Sequence, residues 1–141
     1  MADIVTPAVI GVASSLITIF LSSRLQHFFW TRQQRAQLRL AVLQEFNRLS
    51  AEFLAEHLAA VMTSTRYIPS IAWNTAMQGV EANLRSLFSA NVGALYQQLQ
   101  ILFGPGTPQG GLGPQGQYFA NDFVDRKDAV MRQLYDECGF R

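Results

Sequence analysis

Between Asp3 and Arg24 lie twenty residues without a charge, and ten of them are Ile, Val, Leu or Phe. A helix rises 1.5 Å per residue, so this run is about 30 Å long, close to the hydrocarbon thickness of a bilayer. Each large aliphatic residue near the centre of such a helix contributes roughly −0.3 to −0.6 kcal/mol to insertion, more than the small costs of the interspersed Ser and Thr. Pro7 falls in the first turn, where its missing N–H costs least. The run therefore predicts a transmembrane anchor over residues 1–23. A cleaved signal peptide fits less well, because Met1 to Asp3 is not basic and no small-residue cleavage site follows Leu21. A buried core helix is usually shorter and lacks such flanks.

The flanks give the anchor a direction. Arg24, Arg32, Arg35 and Arg39 follow it, and no acidic residue occurs until Glu45. By the positive-inside rule the N-terminus is expected outside and the C-terminal body in the cytoplasm, the layout of many small bacterial inner-membrane proteins. Phe28, Phe29 and Trp30 fall where aromatic rings settle at a membrane interface. These three, with the four arginines, form the expected interface with membrane lipids. The arginines serve either as a topology determinant or as contacts for anionic lipid phosphates. Within the span, Gly11, Ser15, Thr18 and Ser22 recur at three- and four-residue spacing and share one face. Small and hydroxylated residues there suit close helix packing, although Ser and Thr also bond their own backbone carbonyls.

No Gly or Pro occurs from Val12 to Ile68. The span is expected to continue into a long amphipathic helix ending near Thr65, roughly 60 Å beyond the membrane. Leu38, Val42, Phe46, Leu49 and Phe53 form its apolar stripe, extended by Leu54, Leu58, Val61 and Met62. Pro69 and Ser70 mark a turn into a second helix with Trp73, Met77, Val80, Leu84 and Phe88 on one face. The same phase continues through Val92, Leu95, Leu99 and Phe103, with a break signalled at Ser89, Asn91 and Gly93. Residues 24–103 thus read as an antiparallel helical hairpin. Val42, Phe46, Leu49, Phe53 and Trp73 are its partner or core face.

From Gly104 to Gly116, nine of thirteen residues are Gly or Pro, which makes residues 104–117 a loop or connector. Residues 118–141 hold the last helix, expected from about Asn121 to Cys138, with Asn121 or Asp122 as its cap and Gly139 past its end. The fold class is all-α.

Chemistry is sparse. His27 and His57 are thirty residues apart, and neither follows a Glu at the spacing of di-iron bundles, so His57, with Glu52 and Glu56, reads as a solvated helix face. No serine-nucleophile, zinc, phosphate-loop or dinucleotide pattern is present, so no catalytic, metal or cofactor site is expected and the chain does not read as an enzyme. Cys138 is alone, which excludes an intramolecular disulfide. The net charge is only +1, and residues 40–141 carry seven basic against nine acidic side chains, so nucleic acid is not an expected partner. What remains is a single-pass, membrane-anchored structural or accessory subunit, binding a protein partner or copies of itself. A membrane-perturbing, holin- or toxin-like protein and a helical lipid- or cofactor-binding module are the alternatives.

Overall fold

The computed structural model describes residues 2–63, 65, 67–103 and 114–140, with side chains from Thr18 onward except at positions 103 and 114–117. Among the described residues there are four α-helices and no strand: α1 Ala2–Met62, α2 Ile71–Leu87, α3 Ala90–Gln100 and α4 Pro114–Cys138, with a 3-10 turn at Ile101–Phe103 after α3. The chain divides into two compact units, residues 1–37 and 38–141. No helix among the described residues is long and apolar enough to cross a membrane. The backbone of the expected span is the start of α1, whereas its side chains before Thr18 lie outside the described ones.

In the second unit, the four helices run alternately up and down. Trp73 near the start of α2 donates its indole N–H to the Leu49 carbonyl of α1 at 3.0 Å. At the other end of α2, Leu87 accepts from Arg39 Nε at 2.8 Å. Rising numbers on α2 therefore meet falling numbers on α1, so the two helices are antiparallel, as the hairpin reading expects. The same test makes α4 antiparallel to α1, since Phe123 packs on Phe53 while Glu137 meets Arg39. Helix α3 opposes α4, with Ser89 bonded to Glu137 and Gln98 to Arg126. It also opposes α2, where Gln100 reaches back to Glu81.

The core gathers Val42, Leu43, Phe46, Leu49 and Phe53 of α1, Trp73, Met77, Val80 and Leu84 of α2, Phe88, Val92, Tyr96, Leu99 and Leu102 around α3, and Phe119, Phe123, Val130, Met131 and Leu134 of α4. Phe53 is its centre at one end, 5.5 Å from the Tyr67 ring, 5.3 Å from Trp73 and 5.1 Å from Phe123. Burying aromatic side chains removes 150–250 Å² each from water (an order-of-magnitude range), so this cluster dominates the local energetics. Burial pushes the Tyr96 phenol well above its ordinary range, with Glu81 adding to the rise.

Helix ends follow local chemistry. Ser70 caps α2 by accepting from the Trp73 N–H at 3.1 Å. Phe88 and Ser89 are both extended and separate α2 from α3, the break signalled at Ser89. At the end of α4, Gly139 N–H donates to Asp136 O and Phe140 N–H to Tyr135 O, with Gly139 at φ 83°. This is the Schellman pattern, which needs a left-handed residue just past the helix.

Three expectations need correction. The apolar stripe of α1 does not run on to Met62, which is 87% exposed, and Leu38 is also exposed. Inward positions after Phe46 are Leu49, Ser50, Phe53 and His57, continuing the three- and four-residue spacing through two polar residues. Helix α4 starts at Pro114, not near Asn121. Proline is favoured in a first helical turn, and the earlier start adds Phe119 and Ala120 to the buried face. Asp122 therefore sits inside the helix, paired with Arg126 one turn on at 2.9 Å.

Candidate membrane-interface site

Residues 18–37 present apolar side chains with nothing over them. Ile19, Phe20, Leu21, Leu25, Phe28, Phe29 and Trp30 are each more than half exposed. At about 100° per residue, three consecutive apolar residues sweep roughly 200° of a helix surface, and this segment contains two such triplets. Viewed down the axis, the two triplets together point in every direction instead of forming one seam, with Ser22, Ser23, Arg24, Gln26 and His27 between them. A helix partner calls for a stripe, which this distribution is not.

The cations of this segment are arranged against the rings. The Arg24 guanidinium lies 5.2 Å from the centre of the Phe20 ring, and Arg32 lies 4.9 Å from that of Phe28. Each arginine folds back one turn, the direction in which helical side chains lean, and rests on the electron-rich ring face. Phe28 and Phe29 meet edge to face at 6.2 Å. Two hydroxyls here are satisfied within the helix: Thr31 Oγ1 donates to the His27 carbonyl at 2.9 Å, and Ser22 Oγ to that of Ile19 at 2.9 Å. Ser22 and Thr18 are exposed, while the side chains of Gly11 and Ser15, the rest of the expected packing face, lie outside the described residues.

Arg39 parts company with the other three arginines. It lies in the second unit, half-buried, donating to the Leu87 carbonyl at 2.8 Å and to the Glu137 carbonyl at 3.2 Å, with its guanidinium 5.2 Å from the Phe88 ring. Those carbonyls close α2 and α4, where a cation complements the helix dipole. The Glu137 carboxylate in turn accepts from the Ser89 N–H at 2.9 Å and from the Ser89 hydroxyl. The capping position of α3 is therefore served from α4, which explains why Ser89 makes no cap bond of its own. Burial raises the Glu137 carboxyl, but the bonds from Ser89 and Gln133 and the field of Arg39 outweigh it and hold the group below the usual carboxylate range.

Val42, Phe46, Leu49, Phe53 and Trp73 are all buried by the chain's own helices. His57 is not on a solvated face. It is 2% exposed, stacked parallel to Phe53 with ring centres 6.3 Å apart and 4.6 Å from Phe119. Glu52 faces elsewhere and holds Arg48. Among the described residues no group of three or more His, Cys, Asp or Glu is placed to hold a metal ion. Cys138 is half-buried at the end of α4, and burial pushes its thiol up, with Arg39 pulling the other way, so thiolate is scarce at neutral pH.

Sequence reasoning missed the inward place of His57 and Ser50 because both are polar. The spacing 46, 50, 53, 57 held the signal. It also grouped Arg39 with the interface arginines, since nothing local marks a cation that serves residues so far along the chain. No protein family, curated protein or solved structure matches this chain.

Proposed function

We propose that this protein is a single-pass membrane protein whose helical body acts as a structural or accessory subunit, in a complex or with copies of itself. The observation that carries the reading is the exposed apolar surface surrounding α1 from Ile19 to Trp30. Water tolerates scattered apolar residues but not a belt of them. The uncharged run from Ile4 to Ser23 overlaps the start of that belt, and Arg24, Arg32 and Arg35 follow the run on the side expected to face the cytoplasm. For the body, interaction is supported by a second apolar surface. Met62, Ile68 and Ile71, around the α1–α2 connection, are each more than three-quarters exposed.

Alkaline extraction of membranes from cells expressing the full chain tests the anchor: the protein is expected in the membrane pellet, and its release to the supernatant would overturn the reading. Mass measurement in mild detergent tests the subunit role. The expected result is an oligomer or a co-purifying protein partner, and a monomer without partners counts against it.

A further inference from the structure

We propose that Arg24, Arg32 and Arg35 form a ladder that binds the phosphate groups of anionic phospholipids, and so selects those lipids around the anchor. The inference rests on the membrane reading above and goes beyond it, because a topology determinant needs positive charge but no lipid preference.

Three observations carry it. The first is geometry. Steps of eight and three residues place Arg24, Arg32 and Arg35 within a sector of roughly 80° on a helix turning 100° per residue. The ladder is one-sided, although the apolar surface around it is not. The second is the lack of neutralisation. Arg48, Arg85 and Arg126 of the second unit each hold a carboxylate one turn away, and Arg39 is taken up by two carbonyls. No Asp or Glu occurs from Ile4 to Gln44, so the chain near the ladder offers no anion. The third is support. Arg24 and Arg32 are steadied by Phe20 and Phe28. A cation–ring contact uses the guanidinium face and leaves its N–H edge free to grip oxygens. That edge matches phosphate bidentately, which a lysine ammonium cannot do. A one-sided row of cations beside exposed apolar rings suits a lipid, which offers a phosphate and an apolar chain together, better than a soluble anion.

The test uses the full-length protein in phosphatidylcholine vesicles containing brominated phosphatidylglycerol or, at equal mole fraction, brominated phosphatidylcholine. Trp73 is buried, so lipid quenching reads Trp30; Trp30→Phe abolishes the signal and verifies this. Three cations near an anionic surface should give a preference of about tenfold or more for the anionic lipid. The triple variant Arg24→Gln, Arg32→Gln, Arg35→Gln should quench alike with both lipids. Equal quenching of the unaltered protein by the two lipids overturns the ladder and leaves the anchor standing. A preference that survives in the triple variant also overturns it. Loss of the preference on adding inorganic phosphate, but not chloride at matched ionic strength, would make this a free-phosphate site and overturn lipid selection. Quenching by neither lipid overturns the anchor itself.

Discussion

Replacing Arg39 with Met isolates the contact that joins three helices of the second unit. The substitution keeps an unbranched apolar stem and removes the guanidinium. Two bonds are lost, to Leu87 O and Glu137 O. A hydrogen bond to a charged group is worth about 1.5–3 kcal/mol net, and the stacking on Phe88 adds about 0.5–1 kcal/mol. Arg39 is half-buried, so water can reach the released carbonyls and these terms do not sum. The expected loss is about 3 kcal/mol. For a domain of this size that lowers the melting temperature by roughly 12–20 °C. The assay is urea and thermal unfolding of the full chain in mild detergent, followed by Trp73 fluorescence in a Trp30→Phe background. Arg35→Met is the control and should change stability by less than about 0.5 kcal/mol, as an exposed surface residue does. If the two variants melt together, Arg39 is not a clamp and the reasoning fails. Arg39→Lys should fall between, since one ammonium cannot repeat the planar fork.

Other expectations concern the same unit. The Glu137 carboxyl is held low in the folded protein, so its stabilisation is present above the unfolded value near 4.5 and disappears as pH falls through the folded one; Glu137→Gln should flatten the pH dependence of the melting temperature in that acid window, and an unchanged slope would contradict the assignment. Glycine-to-alanine changes should take opposite signs. A methyl at Gly79 or Gly93 meets nothing within 4 Å, so each should stabilise by about 0.5–1 kcal/mol. Gly139 has φ 83°, so the same change there should cost about 1 kcal/mol, read by urea denaturation. Trp73→Phe removes the bond to Leu49 O and should cost about 1–2 kcal/mol in the same measurement.

Helices and their core faces were legible because the apolar spacing is regular and the breakers are few. Trp73, Met77, Val80, Leu84 and Phe88 stand on one side of their helix in the sequence and are buried together in the structure. Ser70 and Gly139 were legible as ends because capping is local chemistry. His57 was not, since hydropathy places an imidazole outside and only the stacking with Phe53 and Phe119 shows how a bundle accommodates it. The start of α4 was hidden by the Gly- and Pro-rich composition around it. The role of Arg39 was hidden for a different reason: its value depends on carbonyls supplied by residues 87 and 137, and no window along the chain contains all three. In the interface segment, composition showed the residues, whereas the seating of Arg24 and Arg32 on rings required their geometry.

The Arg39–Glu137 contact spans a sequence separation of 98. During synthesis, residue 39 leaves the ribosome long before residue 137 exists, and domains consolidate as their segments become available. Until then the carbonyl end of α2 has its arginine, but α3 begins without the carboxylate that serves Ser89. The start of α3 therefore depends on a group supplied nearly fifty residues later. A chain shortened before Glu137 keeps every residue of the buried core yet lacks the carboxylate that serves Ser89.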